Sequence, residues 1–203
     1  TFKDRVLMEG DPFAVVEAMT IAGLTTGCEH GYLYLRGEYP RARQRLEHAI
    51  AEARRLGFLG EDVMGSGRRF DISVFRGAGA YICGEVTAIF NSIEGYRGEP
   101  RNKPPFPVEV GLFGQTTLVN NVETLVNVLP ILLQGGPAYA ATGTEGSSGT
   151  RIFCVSGRVV RPGVYELPMG TPLREIIYTH AGGIPNGRTL KGVIPGGASM
   201  PIF

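Results

Sequence analysis

Apolar positions in the first third of the chain alternate between two periods. From Asp11 they recur every three or four residues, which predicts a helix. Asp11 supplies an N-cap acid and Pro12 the first helical position. Phe13, Val16, Met19 and Ala22 or Leu24 then form the apolar face, to about Gly27. Tyr32 to Leu35 is β-favouring and bracketed by Gly31 and Gly37, so it reads as a strand of a covered sheet. Pro40 opens a second helix in which Ala42, Leu46, Ala49, Ile50 and Ala53 share one face. Arg41, Arg43, Arg45, Glu47, Glu52, Arg54 and Arg55 face outward, and Gly57 fits a C-terminal stop. After a polar turn at 65–69, Phe70, Ile72 and Val74 alternate with Asp71 and Ser73, the period of a strand. Helix alternating with strand is the grammar of an α/β fold.

The pattern then changes. Glu85 to Ile93 predicts a short helix closed by Gly95. Asn120-Asn121-Val122-Glu123 has the spacing of an N-cap with a reciprocating Glu. The helix it opens is apolar nearly all round as far as Leu132, which predicts burial, with a kink at Pro130. Small polar residues at 140–149 read as a linker. Beyond it, Ile152–Val155 and Val159–Val160 read as strand, and Arg161-Pro162-Gly163-Val164 as a type II turn into Val164–Leu167. A short helix follows Thr171-Pro172 to about His180, and Leu190–Ile194 is a last strand. Strands and one helix in so short a span indicate a small α+β module of the β-grasp kind.

Composition narrows the function classes. A formal charge of +1 over 203 residues gives no bulk attraction to nucleic acid or an anionic bilayer surface. No apolar run approaches the roughly 20 residues of a membrane span, and direct membrane insertion is not expected. The charged start TFKDRVLMEGD lacks the apolar centre of a signal peptide. Cys28, Cys83 and Cys154 lie far apart, so they signal neither a metal site nor a disulfide framework. His30, His48 and His180 share no ligand spacing, and no metal ligand is assigned.

Chemistry concentrates between Arg76 and Thr124. Gly77, Gly79 and Gly84 form a glycine-rich turn entering a helix, where backbone N–H groups can approach a ligand. Their spacing is not that of the dinucleotide fingerprint. Arg101-Asn102-Lys103-Pro104-Pro105-Phe106-Pro107 is a basic loop stiffened by proline, presenting one cation and one ring. Together these suggest a large, planar, phosphorylated ligand.

The motifs GAGAYICGE, EGYRGEPRNKPPFP and VNNVET, with RGEYP near Arg36 and PGGAS near the end, resemble the flavin-bearing, NADH-oxidising subunit of respiratory complex I. NAD-linked formate dehydrogenases and hydrogenases carry the same subunit type. The resemblance runs along essentially the whole chain. It implies a Rossmann-like FMN-binding α/β domain, here partial, followed by a β-grasp domain of the SLBB kind. Domain limits are expected at 1–140, with a linker at 141–149 and the second domain at 150–203. The family's N-terminal glycine-rich loop precedes these motifs. Its iron–sulfur domain, with a 4Fe-4S cluster, follows them. The chain is therefore expected to be a fragment that holds flavin weakly and is inactive alone.

By this resemblance FMN would be contacted by Gly77, Gly79, Tyr81, Gly84 and Glu85 on one side. Val119, Asn120, Asn121 and Thr124 would contact it from the other. NADH would approach Val86, Lys103 and Phe106. The family has a second Glu after the position of Glu85, near the NADH ribose. Val86 stands there instead, so it would neither bind ribose hydroxyls nor repel a 2′-phosphate. The implied reaction is hydride transfer from NADH to FMN, with electrons passed to partner iron–sulfur subunits. No catalytic side chain is required, because the cofactor carries the chemistry. The expected location is cytoplasmic, peripheral to the inner membrane face if the chain serves complex I. Alternatives are a diaphorase subunit of a formate dehydrogenase or hydrogenase, and a non-catalytic scaffold that retains the fold.

Overall fold

The structure, a computed structural model, describes residues 2–197 and 200–203. The last two residues of the PGGAS motif lie outside the described residues. The chain divides into two compact units, 3–133 and 134–203.

The first unit opens with helix α1 (Phe2–Gly10), which the apolar pattern did not predict. Helix α2 (Pro12–Thr26) follows. Asp11 caps it, accepting from the Ala14 amide at 3.0 Å, and Gly27 ends it at φ 77. The buried face of α2 differs from the predicted one. Val15, Val16, Ala18 and Gly23 are buried, while Phe13 is 49% exposed. Two faces of α2 are covered, one by α3 and one by α5 (Val122–Val126), so a single-stripe reading misplaces its core side. The Phe70 ring lies against Gly23, where even a β-carbon would come within 2.2 Å.

Strand β1 (His30–Leu35) and strand β2 (Asp71–Arg76) pair in parallel, from His30 with Asp71 to Leu35 with Arg76. Helix α3 (Pro40–Arg55) connects them and buries the five residues its spacing predicted. Arg54 locks the crossover, donating to Asp71 Oδ1 at 2.8 Å and to the Ile72 carbonyl at 2.7 Å. The core joins α1, α2, α3 and both strands through Met8, Val15, Leu35, Leu46, Phe70 and Ile72. β1 is covered on one face only: Leu33 and Leu35 are buried, whereas Tyr32 is 40% exposed.

Helix α4 (Val86–Ile93) begins one residue later than predicted. The single helix expected through Leu132 is two, α5 and α6 (Val128–Gln134). Its predicted burial is also wrong. α6 buries no residue, and Leu132 and Leu133 are 63% and 85% exposed. An apolar sequence marks a face that is able to bury, and does not specify what it packs on.

In the second unit, helix α7 (Gly136–Ala140) precedes a minimal antiparallel hairpin of β3 (Gly143–Thr144) and β4 (Ser147–Ser148), inside the stretch expected as a linker. Strands β5 (Thr150–Val155) and β6 (Gly163–Pro168) pair antiparallel. Val159–Val160 is not strand, and Gly163 has no positive φ, so the type II turn is absent. Gly163 instead opens β6 and faces Val155. Helix α8 (Leu173–Glu175) runs on as a π-helical turn, Ile176–His180, burying Ile176 and Ile177. No strand forms at Leu190–Ile194. Val193 and Phe203 exchange two backbone hydrogen bonds there, at 2.8 and 2.9 Å.

Candidate functional site

The glycine turn leaves the carboxyl end of β2. The Gly77 amide still donates to the Leu35 carbonyl at 2.8 Å, extending the ladder by one bond. Then the chain turns. Gly79 adopts φ +91, a conformation L side chains rarely take, and Tyr81–Gly84 makes one 3₁₀ turn. Close packing adds a further requirement for glycine. A β-carbon on Gly77 would sit 2.3 Å from the Tyr34 hydroxyl, and that hydroxyl bonds Ser92 of α4 at 2.9 Å. The amides of Ala78, Gly79 and Ala80 have no acceptor among the described residues. Tyr81 is 74% exposed beside them.

Glu85 caps α4. Its Oε2 accepts from the Thr87 amide at 2.8 Å, the Thr87 hydroxyl at 2.6 Å and the Ala88 amide at 2.9 Å. Its Oε1 faces Lys103 Nζ at 3.3 Å. Burial alone would raise this carboxyl. The bonds from Thr87 and Ala88, with the Lys103 ammonium, outweigh it and hold the group at about 2. Glu85 is therefore a fixed anion at any physiological pH. The amides at the start of α4 are already engaged by it, so that helix end is not a phosphate cradle. The anion-accepting donors expected at the helix start lie earlier, in the turn itself.

Thr87 has a second role. While donating to Glu85, its hydroxyl accepts from the Arg101 amide at 2.8 Å. Arg101 also bonds Asn91 at 2.8 Å, pairs with Glu94 and lies over the Phe90 ring. The basic loop is thus hung on α4 by its first residue. From there it carries Lys103 to Glu85 and leaves the Phe106 ring 51% exposed.

The second helix start is built differently. Asn121, not Asn120, caps α5, accepting from the Glu123 amide at 3.1 Å. Its side chain is fully engaged by α1, accepting from Lys3 Nζ at 2.8 Å and donating to Asp4 Oδ2 at 3.0 Å. Glu123 is buried and pairs with Lys3 at 2.9 Å instead of returning to the cap. Asn120 and Thr124 are exposed, and their side chains have no partner among the described residues. Val119 is 36% exposed.

Of the residues singled out in sequence, Gly77, Gly79, Tyr81, Gly84, Glu85, Val86, Lys103 and Phe106 gather on the β2–α4 turn and the loop hung from it. Val119, Asn120, Asn121 and Thr124 stand at α5, and none of Glu85's hydrogen bonds reaches them. Sequence reading missed Thr87 and the Lys3–Asp4 pair. Glu85-x-Thr87 at a helix start was a usable signal for the first. Nothing local announces the second, which lies 118 residues from its partner. Among the described residues no cluster of His, Cys, Asp and Glu suits a metal ion, and no helix is long and apolar enough to cross a membrane.

Comparison with known proteins identifies the family of each part of the chain. Residues 1–130 match the family described as the Nuo51 FMN-binding domain, and residues 152–203 match the SLBB domain. An NADH-quinone oxidoreductase protein of Rhizobium meliloti (strain 1021) is 50% identical over 203 residues, 100% of this chain and 48% of that protein. NADP-reducing hydrogenase subunit HndC of Solidesulfovibrio fructosivorans is 48% identical, over 98% of this chain and 40% of that one. A crystal structure of NAD+-reducing [NiFe]-hydrogenase in the H2-reduced state superposes with a TM-score of 0.80 at 42% identity, over 89% of this chain and 30% of that chain. The chain spans about half the length of the curated relatives it matches.

Proposed function

The chain belongs to the Nuo51 FMN-binding domain family, and from that membership we propose that it forms part of the flavin and nicotinamide site of an NADH-oxidising enzyme. The parent reaction is hydride transfer from NADH, with electrons handed singly to iron–sulfur subunits. FMN, when bound, would supply the hydride acceptor and the change from two-electron to one-electron transfer.

The residues present fit such a group. The carrying observation is the open turn. Three consecutive amides at Ala78–Ala80 have no acceptor among the described residues, and the turn they open ends at Glu85, a carboxylate fixed as an anion. Amide donors suit the oxygen atoms of a flavin nucleotide, and the Glu85 oxygen facing Lys103 suits N–H or O–H donors. Asn120 offers both functions from the other helix. The exposed rings of Tyr81 and Phe106 give apolar faces for planar groups. Lys103 provides the cation for a dinucleotide oxygen, and its tie to Glu85 orients it. No side chain here moves a proton in this scheme.

Titrating the chain with FMN and following flavin fluorescence tests the reading. Saturable binding at ~10 µM is expected, because the chain spans about half the length of its relatives and affinity falls when only part of a site's donors is present. Absence of binding at millimolar FMN overturns the assignment.

A second reading concerns the electron partner. The relative named HndC and the superposed [NiFe]-hydrogenase support a hydrogenase as well as a quinone reductase. Val86 bears on the nucleotide. With no acid at that position, a 2′-phosphate meets no repulsion from residue 86 itself, which supports acceptance of NADPH alongside NADH.

A further inference from the structure

The motif Arg36-Gly37-Glu38 takes no part in the function above, yet it meets the glycine turn at three points. Arg36 donates to the Gly79 carbonyl at 3.4 Å and is itself held by Glu38, at 2.5 Å to Oε1 and 3.3 Å to Oε2. A β-carbon on Gly37 would stand 2.7 Å from the Gly77 carbonyl oxygen, so the two loops touch backbone to backbone. The Glu38 carboxylate covers Gly79, 2.9 Å from where its β-carbon would be. From the opposite side, Arg76 donates to the Gly37 carbonyl at 3.4 Å.

These arginines border a cleft at the carboxyl ends of β1 and β2 that also includes Arg43. Its charge has internal partners. Arg36 is bound by Glu38, Arg43 by Glu47 at 2.7 Å, and Arg76 by the Gly37 carbonyl. The cleft is thus a site of loop-to-loop fastening, and its guanidiniums are not waiting for an anion.

We propose that Arg36-Gly37-Glu38 is a positioning clasp for the Gly77–Gly84 turn. Holding the Gly79 carbonyl on the β1 side fixes the Gly79–Ala80 peptide plane. In a trans peptide the N–H points opposite the C=O, so the Ala80 donor faces away from the clasp. The clasp therefore decides where the Ala80 amide, one of the three unengaged donors, points. What they receive rests on the flavin reading; the clasp itself does not. An exposed ion pair such as Arg36–Glu38 contributes little to global stability. The effect of breaking it is local.

Hydrogen exchange on the full chain tests this without ligand. The protected amides of the turn are Gly77, Cys83 and Glu85. In Arg36→Gln these exchange about tenfold faster, the scale of losing one charge-assisted bond, while the α3 amides do not change. Gly37→Ala gives the same local loosening through its clash with Gly77. Arg36→Lys rescues only partly, because an ammonium lacks the fork that reaches Glu38 and Gly79 together. Unchanged exchange at 77–85 in both Arg36→Gln and Gly37→Ala overturns the proposal, as does an equal acceleration in α3. If the turn loosens while the unaltered chain binds no FMN, the clasp stands and the flavin reading falls. If FMN binds and Arg36→Gln weakens it about tenfold at unchanged melting temperature, both stand.

Discussion

The two helix starts proposed to face the flavin are capped by opposite means. α4 is capped by a carboxylate whose partners are Thr87, Ala88 and Lys103, at most 18 residues away. α5 is capped by an amide held by Lys3 and Asp4, more than a hundred residues distant. The first cap is self-contained and carries fixed negative charge. The second is neutral and ties α5 to α1, since the Lys3 that touches Asn121 also pairs with the buried Glu123. A carboxylate cap sets what a ligand meets. An amide cap joined to an ion pair sets where the helix sits.

The largest test of this contrast is Lys3→Met. It removes the ammonium that stands 2.9 Å from Glu123, a carboxylate only 4% exposed. Removing one member of a buried pair is strongly destabilising, and the figure here is about 2 kcal/mol because Lys3 is itself a quarter exposed. Denaturant unfolding measures it. Adding Glu123→Gln to Lys3→Met recovers most of the loss. If the single change is silent, α5 does not depend on α1.

Glu85→Ala comes next, at about 1 kcal/mol for a lost N-cap. Its pH dependence is more telling. The folded value near 2 lies below the ordinary 4.5, so the cap stabilises fully above about pH 4.5 and is lost as pH falls towards 2. Melting curves of the unaltered chain and Glu85→Gln converge through that window. Curves that stay parallel down to pH 2 show that Glu85 is not the cap of α4 in solution.

The same contrast explains what was legible in the sequence. α3 was read correctly to its buried residues because its face, its Pro start and its stop are all local. The site turn was legible through Gly77, Gly79 and Glu85, each required by a nearby contact. Thr87 was only half visible, since its bond to the Arg101 amide spans a loop. The exposure of α6 and the placement of the α5 cap were not legible. Leucines announce burial without a partner, and nothing around Asn121 predicts a lysine near the start of the chain. The absent strand at Leu190–Ile194 failed for the same reason: Val193 pairs with Phe203, but too briefly to build a ladder.

Neighbouring asparagines sharpen the comparison at smaller scale. Asn121→Ala removes a cap and two bonds to α1, and lowers stability by about 1 kcal/mol. Asn120→Ala, with no partner among the described residues, leaves stability within about 0.5 kcal/mol. Its effect falls on FMN affinity, measured in the same fluorescence titration. Should the two variants swap these outcomes, the amide facing the ligand is Asn121 and the cap is misassigned.

The smallest effect on folding is expected from Val86→Glu, and it bears most on specificity. Val86 is the first residue of α4 and only half-buried, so an acid there is accommodated. The helix dipole favours it by a few tenths of a kcal/mol, and repulsion from the adjacent Glu85 offsets that, leaving melting nearly unchanged. Nucleotide binding changes more. A carboxylate at this position accepts from ribose hydroxyls and repels a 2′-phosphate, so the ratio of NADH to NADPH affinity rises about tenfold. Competition of each nucleotide against a fluorescent dinucleotide measures that ratio. A ratio that does not move places the ribose away from the start of α4, and then the uncharged residue at 86 says nothing about the choice of nucleotide.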